Sequence, residues 1–303
     1  MTVKYLYEIT KGDLPPLAIA LGNFDGVHIA HSRLIKKTCE LARVLCVAKS
    51  EDICPAVFTF TDLKSPYLTT TDEKLAIFDS LGIEYVILSR FDTVKELSPY
   101  AFVSDVLRDR LSCAHALCGY NYRFGRGASG DSSSLCEIAS SLGITCSVMD
   151  EMPGTSSTRI RELLLSGDLE NANDLLGKSY SLSGKIIHGR GVGHTFGCPT
   201  VNVEIPEGKL LPKNGVYFTL CTIGGSTYRA VTNVGTCPTF GKNSSSCENH
   251  LLGVEKDLYG ELAKVEFLFF ERPEIRFSSP EELYKTVTLD ISKARDFFLS
   301  QDL

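Results

Sequence analysis

The apolar residues of this chain change their period near residue 178, and that change limits the folds open to it. Up to that point, short apolar runs alternate with helix-spaced segments. LAIALGNF (17–24), PAVFTF (55–60), EYVILSRF (84–91), HALCGYNY (115–122) and ITCSVMDEM (144–152) read as buried strands. Between them, SRLIKKTCELARVL (32–45), DEKLAIFDSLG (72–82), PYAFVSDVLRDRLS (99–112) and SSLCEIASSLG (133–143) repeat apolar residues at helical spacing. Strands alternating with helices build a parallel sheet with helices on both faces. Residues 156–177 read as helix, break, helix. Beyond 178, SLSGKIIHG, PTVNVEI, GVYFTLCTIGG, STYRAVTNVG, NHLLGVE and AKVEFLFFERP are short strands parted by Gly, Pro and Asn. That is the pattern of an antiparallel barrel or sandwich. A last helix is capped by Ser278 or Ser279, with Pro280 in its first turn. The expectation is an α/β domain over 1–177 and a β domain with a terminal helix over 178–303, each long enough for its own core.

Composition removes several classes. The chain is 43% hydrophobic and 22% charged, with a net charge of −6, so no basic field favours nucleic acid or an anionic membrane. Eleven cysteines stand singly, without a CxxC pair, in runs such as ARVLCVA and GITCSVM. They read as reduced, mostly buried thiols of a cytoplasmic protein, and their spacing does not point to zinc. The segment MTVKYLYEITKGD lacks an apolar signal core, and no run is long enough to span a membrane.

GNFDGVHIAH (22–31) follows the first strand of the α/β half. It therefore lies at the carboxyl rim, where parallel sheets bind ligands. A turn that opens a helix offers free backbone N–H groups and the positive end of the helix dipole, which together attract phosphate. Gly22 and Gly26 let the chain turn, and His28 and His31 share one face of the first helical turn. Two imidazoles there can stabilise charge developing at phosphorus. The plain alternative is a strand–turn–helix junction with incidental histidines. GRGASG (125–130) fits GxGxxG but follows the fourth strand, so it does not support a dinucleotide fingerprint.

In the second half, GKIIHGRGVGHTFGCPTVNVEIP (184–206) sets Gly189, Gly191, Gly193 and Gly197 before Pro-Thr-Val-Asn. Such a loop can wrap a phosphate chain with N–H groups. Thr200 and Asn202, two apart in extended chain, point to one side, and their oxygens suit Mg²⁺ carried by a nucleotide. A flexible turn before an ordinary strand is the alternative left open by spacing alone.

With these motifs in view, GNFDGVHxxH resembles the HxGH motif of nucleotidyltransferases in the form found in bacterial bifunctional riboflavin kinase/FAD synthetases. GYNYRFGRGASGD (119–131) is similar to that family's second loop and SSTRIRELLLSGD (156–168) to its closing motif. The Gly-rich loop with PTVN, then GVYFT, TNVGTCPTF, ENHLLGV, DLYGE and FFERPEIRFSSPEEL, resembles its kinase module in order. The resemblance implies a Rossmann-like FMN adenylyltransferase domain and a riboflavin kinase barrel. It implies riboflavin, FMN and MgATP as ligands. In the first half, ATP or its phosphates would be met by Gly22, Asn23, Phe24, Asp25, Gly26, His28, His31, Asn121, Ser156, Thr158, Arg159 and Arg161. In the second, the glycines would hold phosphate, Thr200 and Asn202 the metal, and Glu248 would be the general base. The chain departs from the family pattern at Ala30, His194 and Cys198, usually Gly, Arg and Phe, and reads TFTDLKSP where a Pro-His-Pro is usual. A kinase with a silent first domain and a non-enzymatic flavin binder are the rival readings.

Overall fold

The protein is described here by a computed structural model, which covers residues 1–62, 65–188, 200–239, 242–254 and 258–301. It divides into two compact units, 1–157 and 158–303.

In the first unit the chain runs β1 (Thr2–Tyr5), β2 (Leu17–Leu21), α1 (Ile29–Lys49), β3 (Cys54–Phe60), α2 (Thr71–Ser80), β4 (Tyr85–Ser89), α3 (Phe91–Val94), α4 (Pro99–Ala101), a π-helical segment Phe102–Arg110, β5 (Cys113–Gly119), β6 (Arg123–Phe124), β7 (Gly130–Asp131), α5 (Ser132–Ser141) and β8 (Thr145–Met149). Six strands form one parallel sheet in the order β1-β4-β3-β2-β5-β8. Side chains alternate across a strand, and β2 serves two cores accordingly. Leu17, Ile19 and Leu21 pack with Phe102, Val103, Leu107 and Leu135 on one face. Ala20 packs with Leu34, Ile35 and Cys39 of α1 and Phe78 of α2 on the other. Five strands answer the expected runs. The sixth, β1, was not expected, because TVKY is short and mixed in polarity; its ladder to β4 supplies what its pattern lacks.

The second unit carries most of α6 (Ser157–Ser166), α7 (Leu169–Leu176), β9 (Tyr180–Ile187), β10 (Val201–Val203), β11 (Gly215–Ile223), β12 (Ser226–Thr239), β13 (Lys242–Leu251), β14 (Leu262–Pro273) and α8 (Pro280–Ser300). The six strands close into an antiparallel barrel, β10-β13-β12-β11-β14-β9. Closure leaves no free edge. It brings β9 against β10, where a Cβ on Gly184 would stand 2.0 Å from the Glu204 carbonyl oxygen, so the close approach requires glycine. Ala294 and Phe298 of α8 pack on Val216, Phe218 and Val231. The helix cap is Ser279, whose Oγ accepts from the Glu282 N–H.

Two expectations are corrected. The strand read at 249–255 is β13, which runs from Lys242 to Leu251. Its serine-rich first half carries no apolar alternation, and pairing with β12 makes it a strand. The cysteines are not all free: Cys136 on α5 and Cys146 on β8 form a disulfide, because the turn between them folds the helix back over the edge strand. Among the described residues seven others are free thiols, and burial pushes Cys113, Cys118 and Cys221 up to about 12. Among the described residues no helix is long and apolar enough to cross a membrane.

Candidate active sites

β2 lies between β3 and β5, so the chain leaves it in one direction and later returns on the other side. The carboxyl end of β2 is thus a topological switch point, where open parallel sheets leave a crevice. The 22–31 turn sits there. His28 is the N-cap of α1, one turn earlier than the apolar pattern suggested: its Nδ1 accepts from the His31 N–H at 3.4 Å. The two rings stack with centroids 3.6 Å apart, and Phe24 meets His31 edge-on at 5.2 Å. Only 5% of His28 is exposed.

The turn itself is held in a conformation that its residues disfavour. Phe24 and Val27 have φ of 53° and 40°, in the left-handed region where side chains crowd the backbone. Side chains from other segments hold it. Asp25, 4% exposed, accepts at Oδ1 from the N–H groups of Leu68 at 2.8 Å and Thr69 at 3.1 Å. The Gly26 N–H donates to Thr69 Oγ1 at 2.9 Å, and the Asn23 carbonyl accepts from Thr59 Oγ1 at 3.0 Å and Lys74 Nζ at 2.9 Å. Ser157 Oγ donates to the Asp25 carbonyl at 2.8 Å. Asp25 and Phe24, expected near phosphate, therefore turn their side chains inward and give the turn its shape.

Ser156 precedes α6 in the first unit, and Asn121 is exposed just after β5. Thr158, Arg159 and Arg161 lie on α6 in the second unit, where Arg159 pairs with Glu162 at 3.4 Å. Sequence reading missed Thr59, Thr69, Lys74 and Ser157. Of these, Ser157 and Thr59 lay inside quoted stretches, SSTRIRELLLSGD and TFTDLKSP.

A cavity of about 390 Å³ opens beyond β3, β4 and β5. Its walls include Phe60, Phe91, Phe102, Tyr122 and Phe124, with Lys95, Arg123 and Arg126 at its edge. Tyr122 and Phe124 stack at 5.7 Å, and Phe60 and Phe91 meet edge-on at 5.5 Å. The GRGASG stretch forms part of this wall: a Cβ on Gly130 would strike the Phe124 ring at 2.6 Å. Tyr122 and Phe124 share the 119–131 stretch, but nothing in the sequence joined them to Phe60, Phe91 and Phe102.

The second unit has its own site. Asn202 stands opposite Glu248 in the β10–β13 ladder, and Val201 opposite Asn249. Strand alternation turns Glu248 and His250 to a cavity of about 320 Å³ and Cys247 and Asn249 to the barrel interior. Thr200 lines the same cavity, with Asn233, Arg272 and Glu274. Asn249 anchors the strand that carries Thr200 and Asn202: its Nδ2 donates to the Val201 carbonyl at 3.2 Å, while its Oδ1 accepts from Thr232 Oγ1 at 2.7 Å. Asp290 of α8 grips Arg272 through Nε at 3.1 Å and Nη2 at 2.7 Å. Gly189, Gly191, Gly193, Gly197, His194 and Cys198 lie outside the described residues.

Comparison with known proteins agrees with this division. Residues 11–162 match the family described as FAD synthetase, and residues 176–298 match the riboflavin kinase family. A bifunctional riboflavin kinase/FMN adenylyltransferase of Listeria monocytogenes is 33% identical, with 92% of each chain covered. That of Escherichia coli K12 is 31% identical over 98% of this chain and 97% of its own. A Streptococcus pneumoniae crystal structure, described as a macrolide-efflux protein, superposes over 97% of this chain and 99% of its own with a TM-score of 0.85; at 24% identity it shows the fold alone. With relatives of this similarity matching nearly end to end, the chain belongs to the bifunctional riboflavin kinase/FMN adenylyltransferase family.

Proposed function

We propose a division of labour between the two units. The chain is a transferase with two activities: it phosphorylates riboflavin to FMN and adenylylates FMN to FAD. Residues 178–303 carry the first reaction and 1–177 the second, with ATP as the second substrate of each.

The observation that carries the kinase half is the meeting of Thr200 and Glu248 on one cavity in a barrel with no Walker A sequence. Glu248 accepts the proton of the ribityl 5′-hydroxyl as its oxygen attacks the γ-phosphorus and ADP leaves. The donors here are few, and among the described residues no group of three His, Cys, Asp or Glu could cage a metal. A hydroxyl and an amide oxygen fit Mg²⁺ that arrives on nucleotide phosphates, and Thr200 and Asn202 would hold it. When bound, the ion neutralises phosphate charge. The isoalloxazine lies along the apolar side of the cavity, between Val216 and the Tyr284 and Val287 positions of α8.

In the first unit, His28 and His31 lie at the helix N-terminus and bind the triphosphate, with Asn121 and Ser156 on the rim. A phosphate oxygen of FMN attacks the α-phosphorus, and pyrophosphate leaves without a covalent enzyme intermediate. The aromatic cavity suits the flat flavin, with Arg123 or Arg126 toward its phosphate. A net charge of −6 without a basic field, and seven free thiols set against one disulfide among the described residues, support a cytoplasmic protein that acts on small molecules. The test is direct. Riboflavin, ATP and Mg²⁺ are incubated with the chain and the flavins separated: FMN followed by FAD is expected, whereas FMN that persists even when supplied as substrate leaves only the kinase.

A further inference from the structure

We infer that Lys74 is a positioning residue of the first site: its buried ammonium holds the Asn23 carbonyl, and with it the strained turn that aims His28 and His31. The inference rests on the adenylyltransferase reading above.

Lys74 sits on α2 with 1% of its surface exposed. A lysine is rarely buried without a partner of opposite charge or strong dipole. Its Nζ donates to the Asn23 carbonyl at 2.9 Å, the first peptide after Gly22, and Asp25 is the charged group that faces it among the described residues. Its neighbour Glu73 is turned to the helix cap, where it accepts from the Thr70 N–H at 2.9 Å. The same carbonyl takes Thr59 Oγ1, so both of its lone pairs are engaged before the chain enters the left-handed residues Phe24 and Val27. A turn with two such residues persists only where its surroundings over-determine it. Among the described residues Lys74 is the cation that donates to this carbonyl, and a charge-assisted bond is about twice as strong as a neutral one. His28 caps α1 four residues beyond Phe24, so a shift of the Asn23 peptide is passed directly to the imidazoles.

Burial pushes the Lys74 ammonium down to about 8, against the pull of Asp25. Below that pH the group is charged and donates in full. As pH rises through it, the group loses its proton and the Asn23 carbonyl loses its charge-assisted donor. Adenylyl transfer should then fall on the alkaline side.

The experiment uses the full chain, because its second unit provides an internal control. FMN adenylylation and riboflavin phosphorylation are measured for the parent, Lys74→Met and Lys74→Arg. Lys74→Met should lose at least about tenfold in adenylylation kcat, with phosphorylation within about twofold of the parent. Lys74→Arg should retain the activity better and lack the alkaline fall, because a guanidinium stays charged. The unmodified chain gives a second arm if the variants do not fold: its adenylylation should drop between about pH 7.5 and 9.5, where FMN and ATP are already ionised. A parent that forms FAD, with Lys74→Met adenylylating at the parent rate or the parent profile flat, overturns the inference alone. A parent that forms FMN but no FAD overturns the adenylyltransferase reading, and this inference with it.

Discussion

The imidazole rings of His28 and His31 lie nearly parallel, 14° apart, with centroids separated by 3.6 Å, while His28 Nδ1 caps the helix that carries His31. On the proposed function one residue would therefore serve both structure and chemistry, and the two can be separated. His28→Asn keeps an N-capping side chain and removes the imidazole. It should leave the thermal stability of the chain close to that of the parent and lower adenylyl transfer by about a hundredfold. His28→Ala should add a stability loss of about 1 kcal/mol. Equal Tm values for the two variants would contradict the capping role.

On the proposed division of labour Glu248 is separable in the same way, because the other activity would reside in another unit. Glu248→Gln keeps size and hydrogen bonding but cannot take a proton. Riboflavin phosphorylation should fall by about a hundredfold or more, while adenylylation of supplied FMN stays near the parent value. A loss of both activities would mean that the substitution damages folding rather than chemistry.

Arg272 and Asp290 bind β14 to α8 along the wall of the barrel cavity, with Asp290 only 3% exposed. Breaking a buried pair from one side leaves a charge without its partner and costs about 3 kcal/mol. Arg272→Ala should lower the unfolding midpoint in denaturant and raise the KM for riboflavin. An unchanged midpoint would show that α8 is held by its apolar contacts alone.

The Cys136–Cys146 disulfide closes a short loop with a sequence separation of 10 residues between α5 and β8. Closing such a loop restricts the unfolded chain and is worth about 2–3 kcal/mol. Thermal unfolding with and without reductant should show a lower Tm on reduction, and Cys136→Ser should abolish that difference. A Tm that ignores reductant would remove the bond from the stability of the first unit.

Ala30 stands in α1 between the two histidines, outside the left-handed region, so its backbone has no need of glycine. Ala30→Gly should change adenylyl transfer by less than about threefold. A large gain would locate a steric block in the Ala30 methyl.

By itself the sequence determined whatever depends on near neighbours. Period-2 and period-3.6 runs located five of the six strands of the first sheet and the helix, break, helix at 156–177. The Gly-rich stretches and the Thr200–Asn202 pair stood out as candidates because phosphate binding draws on contiguous stretches of chain, whereas Glu248 came only from the family resemblance. Tertiary structure decided the rest, because long-range pairing carries no local signal. It made a strand of TVKY by laying it on β4 and of the serine-rich start of β13 by pairing it with β12, and it closed the barrel. It joined Cys136 to Cys146 and gathered five aromatics from four segments around one cavity. It also set Lys74, an ordinary lysine in an amphipathic helix, under the Asn23 carbonyl 51 residues away. Burial turns such a side chain from a solvated charge into a structural contact, and burial is a property of the packed chain rather than of any stretch of it.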